Sequence, residues 1–379
     1  MQATVFPIAS LLPTLAGNGF PVASPCPLKA YNFQGASHFP PFHLKNKNNM
    51  KTHPSNKSTT SRILAYMNKT ATTLFNRQHI GLAQNYTSTH HSFSRFLQTQ
   101  GKQDLPFSKI TSELLTLYQE WLWQQGIKKN TSSFYLRNLH SVFNKAAKEG
   151  LTTGNPFATV YTGVAKTRKR AVTPDLIRHI HQLDIRQGLI HIGKNPKRKT
   201  FDRTLRELSF ARDTFIFCFC ARGLTFVDLA FLKKENIWHN TLRYERRKTG
   251  QTIEVEILPC MQTIIERYPT STPYLFPILH AQTTQEAYHE YRTAIRKYNK
   301  QLNTLSLMLS QSIPLTSYVS RHSWATAAYH QNIPIAYISE AMGHHSEKTT
   351  RTYLKSLESN KIDKANRQLL HTIFNDDGT

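Results

Sequence analysis

Thr316-Ser-Tyr-Val-Ser-Arg-His-Ser-Trp324, followed by Met342-Gly-His-His-Ser-Glu-Lys-Thr-Thr-Arg-Thr-Tyr353, is the stretch that decides how this sequence is interpreted. Arg321 is followed 23 positions later by His344, and Tyr353 comes nine positions after that histidine. Tyrosine can act as a covalent nucleophile, but its hydroxyl is weak until a site activates it. The rest of the sequence is therefore expected to supply an activating site around Tyr353.

The same stretch has a clear local pattern. Arg321 begins an apolar-periodic segment that predicts a helix. Pro334 suits the first turn of a second helix and Gly343 its C-terminal end. Ser346 is expected to cap a short third helix that carries Tyr353.

The charge balance indicates a polyanionic partner. The 379 residues carry a formal charge of +25, and no Asp or Glu precedes Asp104. A field of this size attracts nucleic acids and accelerates encounter, but it does not specify a fold. A ribosomal or general RNA-binding protein has the same property, and charge alone does not exclude it.

Composition excludes several other classes. The four cysteines are too few and too scattered for a disulfide framework or a zinc site, and Cys218 and Cys220 lie in an apolar run. We expect reduced thiols in a cytoplasmic protein. No run reaches the 18 apolar residues of a membrane span. The sequence contains no Walker A loop and no carboxylate cluster suited to two Mg²⁺ ions, so we expect neither a cofactor nor a metal.

Composition also divides the sequence. Residues 1–61 are rich in Pro, Asn, Ser and Lys without periodicity, which indicates a disordered basic tail or a misassigned translation start. Residues 62–165 have a helical pattern, most clearly between Thr131 and Gly150. Asn130 or Thr131 is expected to cap that helix. Its inward stripe consists of Leu136, Leu139, Phe143 and Ala146.

A basic linker is predicted at 166–174, followed by a second domain at 175–379. The linker begins Lys166-Thr-Arg168-Lys169-Arg170, and this run has two interpretations, a solvated charge run or a segment that follows DNA phosphates. Arg137 and Lys145 lie on outward faces of the preceding helix and have the same two interpretations.

A buried helix is predicted from Asp213, with a break at Arg222-Gly223. Thr225 and Asp228 then form a capping signature for the next helix. An arginine at such a break can clamp a phosphate, or it can bond the free carbonyls of the helix end.

Residues 241–257 change to a period of two, with Ile253, Val255 and Ile257 alternating with polar residues. This period predicts a β-hairpin whose turn carries Lys248. A turn lysine is usually just solvated.

Taken together, these segments resemble the tyrosine recombinases, the phage integrase family, over roughly residues 62 to 375 and most specifically from 213 onward. The resemblance implies a mainly α fold with a small β-hairpin element. It implies a helical, SAM-like core-binding domain at 62–165 and a catalytic domain of the DNA breaking-rejoining fold. In this family the tyrosine, here Tyr353, attacks a DNA phosphodiester and forms a 3′-phosphotyrosyl intermediate.

The resemblance also assigns roles and partners. Arg321 would contact the phosphate, and His344 would either bond the phosphate or hold the nucleophile. Lys248 would protonate the leaving 5′ oxygen, with Lys233 and Lys234 as weaker candidates. Double-stranded DNA with specific recombination sites would be the substrate, bound by a homotetramer on two duplexes. An apolar stripe from 362 to 373 predicts a C-terminal helix that packs either on its own domain or on a neighbouring protomer.

Two motif positions depart from the family pattern. Thr225 occupies the slot of the first catalytic arginine, and Arg222 lies three residues earlier. Tyr318 occupies the slot of a histidine, where it can donate a hydrogen bond but cannot shuttle protons near neutral pH. This variant resembles integrases and invertases of Bacteroides-type mobile elements.

The resemblance implies a site-specific recombinase for integration, excision or inversion of a DNA segment. Type IB topoisomerases share the chemistry, and resemblance alone separates them from this sequence. The alternative is a catalytically silent DNA-binding relative that regulates or organises a mobile element, because Thr225 and Tyr318 depart from the catalytic pattern.

Overall fold

The computed structural model describes residues 62–165, 171–193, 198–311, 314–351, 354, 366–367 and 369–371. Over these residues the fold is mainly α-helical, with one three-stranded antiparallel sheet in order β1-β2-β3. The first four α-helices of the described residues are α1 (Ile63–Asn76), α2 (Ile80–Thr99), α3 (Ser112–Gln124) and α4 (Lys129–Lys148).

Asp104, the first acidic residue of the sequence, anchors the start of α1. Its carboxylate accepts the backbone N–H groups of Leu64 and Ala65 at 3.0 and 3.1 Å. The first turn of a helix leaves such donors without intrahelical partners, and a carboxylate there is favoured by the helix dipole. One side chain thus connects α1 to the segment before α3.

The first hydrophobic core lies among α1–α4, and the predicted inward stripe of α4 is confirmed. Leu136, Leu139, Phe143 and Ala146 are all buried. The predicted cap of α4 was wrong, because the helix begins one residue before Asn130, with Lys128 at the N-cap. The Asn130 amide instead exchanges two hydrogen bonds with the backbone of Ala165, at 3.0 and 2.7 Å.

A second hydrophobic core is built around α7. The helices that follow α4 are α5 (Pro174–Gln182), α6 (Ile185–His191), α7 (Arg198–Cys220), α8 (Phe226–Phe231), α9 (Pro259–Arg267), α10 (Thr284–Met308), α11 (Val319–His330) and α12 (Ile335–Ala341). The strands are β1 (Ile237–Trp238), β2 (Thr241–Glu245) and β3 (Thr252–Glu256). Phe215 and Phe217 of α7 are fully buried with Leu302 and Leu305 of α10.

The chain turns sharply after α7, as the Arg222-Gly223 pair predicts. Both residues have positive φ, 55° and 74°. The Leu224 N–H then bonds back to the Cys218 carbonyl at 3.0 Å, which closes the helix end. Thr225 caps α8 through the Asp228 N–H, so the predicted capping signature is confirmed.

The predicted hairpin is also confirmed. Leu242 pairs with Val255 and Tyr244 with Ile253, and all four side chains are buried on one face. Residues 246–251 form the turn, which places Lys248 there as expected.

Asp213 connects α7 to the C-terminal end of α9. Its buried carboxylate contacts Arg212 at 2.8 Å, Arg267 at 2.7 Å and the Tyr268 hydroxyl at 2.7 Å. Burying a carboxylate is favourable only with such partners. The described helices include none that is long and apolar enough to cross a membrane.

Candidate active site

Arg321 is the centre of the candidate site. It lies in the first turn of α11 and is 1% exposed. Its Nη1 donates to the Gly223 carbonyl at 2.7 Å, and its Nη2 donates to the Met342 carbonyl at 2.6 Å and to His344 Nε2 at 3.1 Å. The guanidinium therefore joins the turn after α7 to the end of α12.

Two glycines allow this close approach. A Cβ at Gly223 would lie 3.0 Å from the Arg321 Cα, and one at Gly343 would lie 2.7 Å from Ile253 Cδ1. Both residues also have positive φ, 74° and 61°, which favours glycine. The sequence expectation that Gly343 ends its helix is confirmed, and close packing adds a second reason for glycine there.

His344 follows Gly343 and is almost fully buried. Arginine has donors only, so His344 Nε2 accepts from Arg321. The ring proton then lies on Nδ1, which donates to the Thr350 hydroxyl at 2.8 Å. Burial, followed by the charges of Arg321, Arg246 and Lys248, lowers the pKa of His344 to about 3. The imidazole is therefore neutral at physiological pH.

Arg246 is a site residue that sequence reasoning missed. It is 3% exposed, at the start of the hairpin turn, and its Nη1 donates to the Gly343 carbonyl at 2.6 Å. Its Nε has no hydrogen-bond partner among the described residues. The signal was present in the strand pattern, because Arg246 continues the buried alternation of Leu242 and Tyr244.

The hairpin turn is fastened to the segment that holds His344. The Thr249 hydroxyl donates to the same Gly343 carbonyl as Arg246, at 3.2 Å. The Gln251 amide donates to the His344 carbonyl at 3.4 Å. These contacts fix the distance between the turn and the buried histidine.

Among the three lysine candidates, the structure brings only Lys248 near the site. Lys248 is exposed in the turn, and its positive charge contributes to the lowered pKa of His344. Lys233 instead pairs with Glu235 at 3.1 Å, and Lys234 donates to the Thr270 carbonyl at 2.6 Å.

Arg222 lies next to Gly223 but is not drawn into the same cluster. Its side chain is partly buried and makes no hydrogen bond within the described part of the chain. The charges that lower the pKa of His344 are those of Arg321, Arg246 and Lys248. The role of Arg222 as a phosphate clamp or a helix cap stays a prediction.

Thr225, in the usual arginine slot, has a structural contact. Its buried hydroxyl donates to Asp228 at 2.6 Å, and the other carboxylate oxygen of Asp228 accepts the Arg247 N–H at 3.0 Å. Asp228 thereby positions the hairpin turn that carries Arg246 and Lys248.

Tyr318 precedes α11 as its N-cap residue and is 39% exposed. Its ring centroid lies 5.5 Å from that of His322, and the two ring planes are tilted by 54°.

Tyr353 lies outside the described residues. On its N-terminal side residues 347–351 are helical, and on its C-terminal side Leu354 is buried with Ala325 and Met342.

A family model described as the phage integrase SAM-like domain matches residues 62–166, and one described as the phage integrase family matches residues 209–360. Together the two models span more than half of the sequence. The chain belongs to the phage integrase family. It is accordingly a tyrosine-type site-specific recombinase.

Solved structures of integrases share the fold. A lambda integrase dimer bound to a COC′ core site superposes with a TM-score of 0.53 at 17% identity, covering 80% of this chain and 81% of that one. A lambda integrase tetramer bound to a Holliday junction gives 0.54 at 16% identity, covering 77% of each chain. A search of curated proteins finds no match.

The remaining DNA-binding candidates of this integrase are less defined. Arg137 is exposed on α4. Lys145 is partly buried, with its Nζ 3.3 Å from the Tyr86 hydroxyl and 5.0 Å from the ring centroid. Lys166, Arg168, Lys169 and Arg170 lie outside the described residues, as does most of the predicted C-terminal helix. No cluster of His, Cys, Asp or Glu suited to a metal occurs among the described residues.

Proposed function

We propose that this chain cuts and rejoins DNA at specific sites through a 3′-phosphotyrosyl intermediate, with Tyr353 as the nucleophile. The observation that carries the proposal is the convergence of two buried guanidiniums, Arg321 and Arg246, on the Met342-Gly343-His344 segment. Tyr353 follows His344 by nine residues.

The two arginines supply the electrostatic part of the mechanism. Attack on a phosphodiester increases negative charge on the non-bridging oxygens, and fixed positive donors stabilise that charge most in a site shielded from water. Burial of Arg321 and Arg246 provides this shielding. In this proposal Arg246 takes the place of the arginine that Thr225 replaces.

Lys248 supplies the proton for the leaving 5′ oxygen. His344 is a poor candidate for that step, because its lowered pKa keeps it neutral at physiological pH. Its two ring nitrogens bond to Arg321 and Thr350, so we assign it to holding the Arg321 guanidinium in position for the phosphate. Lys248 is exposed at the tip of a turn whose base is fastened, so it can reach a bound duplex. Tyr318 adds a hydroxyl donor at the start of α11.

We further propose the domain arrangement predicted from the sequence. Residues 62–165 form a core-binding domain, 166–174 a basic linker and 175–379 the catalytic domain, with 1–61 as a basic tail. The separate hydrophobic cores of α1–α4 and of the α7 region support this division. Arg137, Lys145 and the basic linker residues are assigned to phosphate contacts.

The substrate in this proposal is double-stranded DNA carrying specific recombination sites, and the reaction integrates, excises or inverts a segment. A tetramer on two duplexes is the active assembly, as in the lambda integrase structure on a Holliday junction. The Bacteroides-type likeness and a cytoplasmic, nucleoid-associated location belong to the same proposal.

The decisive experiment is a trapping assay. Nicked duplex oligonucleotides tiled across the DNA that flanks the gene are incubated with the full-length protein. A detergent-resistant protein–DNA adduct that maps to Tyr353 supports the proposal. Sequence-specific binding by a folded protein without any adduct would indicate the catalytically silent relative instead.

A further inference from the structure

Two cysteines from different helices meet beside the turn that supports Arg321. Cys220 is the last residue of α7, and Cys260 lies in the first turn of α9. Their sulfur atoms are 3.8 Å apart, although 40 positions separate them in the sequence. The scattered spacing of the cysteines gave no sign of this contact.

The neighbouring contacts hold the two helices in register. At the other end of α9, Arg267 and Tyr268 are both bonded to Asp213 of α7 at 2.7 Å. This fixed end keeps Cys260 next to Cys220. A disulfide requires an S–S distance of about 2.0 Å, so the sulfurs must approach by roughly 1.8 Å. Rotation of the exposed Cys260 side chain can provide most of this movement.

The two thiols also differ in accessibility. Cys260 is exposed, Cys220 is partly buried and Cys218 is fully buried. An oxidant in solution therefore meets Cys260 first, and Cys220 is the nearest thiol that can react with the product. Cys218 serves as an internal reference, because it has the same chemistry without access.

We propose that Cys220 and Cys260 are a reversible disulfide pair that a peroxide oxidises and a small thiol reduces. The Cys260 thiolate attacks one peroxide oxygen, which forms an S–O bond and breaks the O–O bond, and the leaving hydroxide takes up a proton. The Cys220 sulfur then attacks Cys260, which forms the S–S bond, and the hydroxyl on Cys260 leaves as water with the proton of Cys220. Two thiols are oxidised by two electrons, and one peroxide becomes two waters.

Burial supports this order of events. Burial, and then the interaction with Cys260, raises the pKa of the Cys220 thiol to about 12. A protonated thiol is a weak nucleophile, so the peroxide reacts with Cys260 before it reacts with Cys220. In reducing compartments such pairs form transiently and report oxidation.

Closure of the pair would tie the end of α7 to α9. Cys220 lies three residues before Gly223, whose carbonyl accepts from Arg321. A bond that closes a loop of this length limits the unfolded chain and stabilises the native one. The contact of the two thiols is independent of the recombinase mechanism.

The test uses the full-length chain with Cys26→Ser as the background, so that no thiol outside the described residues can compete. The protein is reduced, freed of reductant, treated with hydrogen peroxide and quenched with N-ethylmaleimide. Peptide mass spectrometry should find a Cys220–Cys260 linkage with two hydrogens lost, while Cys218 stays reduced. The thermal midpoint should rise by about 5 °C and return after dithiothreitol.

Cys260→Ser and Cys220→Ser provide the matched controls, and neither should show the midpoint shift. Three results would overturn the proposal: a Cys260 sulfinic acid without linkage, a dimer joined through Cys260, or full alkylation of both thiols after peroxide. An unchanged midpoint in a protein with the linkage would overturn the stabilising effect.

Discussion

Replacing Arg246 with alanine removes one of the two buried guanidiniums at the candidate site. Among the described residues, Arg246 donates a hydrogen bond through Nη1, to the Gly343 carbonyl. Its Nε is buried without a hydrogen-bond partner among the described residues, and we assign its remaining donors to a phosphate oxygen. Loss of one such donor typically lowers the rate of the chemical step by about 10²–10³-fold, or ~3 kcal/mol. We expect Arg246→Ala to lose strand cleavage by this factor.

The assay measures the rate of covalent adduct formation on a nicked duplex under single-turnover conditions, with DNA affinity measured separately. Arg243→Ala is the matched control, because Arg243 lies on the same hairpin but is exposed and paired with Glu254. The control should cleave within about twofold of wild type, as expected for a solvent-exposed ion pair. Arg246→Lys should recover little, because the planar fork is lost.

A stability measurement separates chemistry from folding. In Arg246→Ala the Gly343 carbonyl keeps the Thr249 hydroxyl, so the destabilisation should stay near 1–3 kcal/mol. Full cleavage activity in a folded Arg246→Ala variant would refute the assignment. Arg222→Ala gives the opposing test, because a hundred-fold loss there with an active Arg246→Ala would make Arg222 the phosphate clamp.

Three further predictions address the remaining groups. Tyr353→Phe should abolish adduct formation and leave DNA affinity nearly unchanged in a gel-shift titration, since phosphate contacts dominate the interface; an adduct from this variant would exclude Tyr353 as nucleophile. Lys248→Ala should fail on an ordinary phosphodiester and recover on a substrate with sulfur at the leaving 5′ position, because a thiolate leaves without protonation; equal impairment on both would limit Lys248 to positioning. The lowered pKa of His344 means that the unfolded chain binds a proton that the folded chain excludes, so stability is complete above about pH 6.5 and is lost as pH falls toward 3. Thermal midpoints between pH 7 and 4 should fall more steeply for wild type than for His344→Gln, and parallel curves would contradict this linkage.

Periodic patterns predicted the local structure of this chain well. The inward stripe of α4, the Thr225–Asp228 cap and the alternation of the hairpin all depend on residues close in sequence. The cap of α4 was wrong because the Asn130 amide is used by the distant backbone of Ala165. Local capping preferences cannot show such a competing partner.

The site was predicted less completely for the same reason. The sequence showed the order of Arg321 and His344, but it did not show that their side chains are in direct contact across 23 positions. Arg246 was overlooked because Arg247 and Lys248 follow it directly. In the sequence, a buried arginine in such a run cannot be distinguished from the residues of an exposed basic turn. Its burial follows from the alternation of buried and exposed side chains along β2. Extending that alternation by one step, from Tyr244 to Arg246, would have predicted it. The contact between Cys220 and Cys260 depends on the packing of α7 on α9, and no local pattern encodes it.

The fastening of the hairpin turn to Gly343-His344 has a consequence for engineering. Arg246, Thr249 and Gln251 all bond to these two residues, which lie almost a hundred positions downstream. A chimera that exchanges the hairpin with that of a relative would replace one side of these hydrogen bonds and retain the other. Exchanges between family members should therefore transfer residues 246–251 and 343–344 together, whatever boundary is chosen for the rest of the chain.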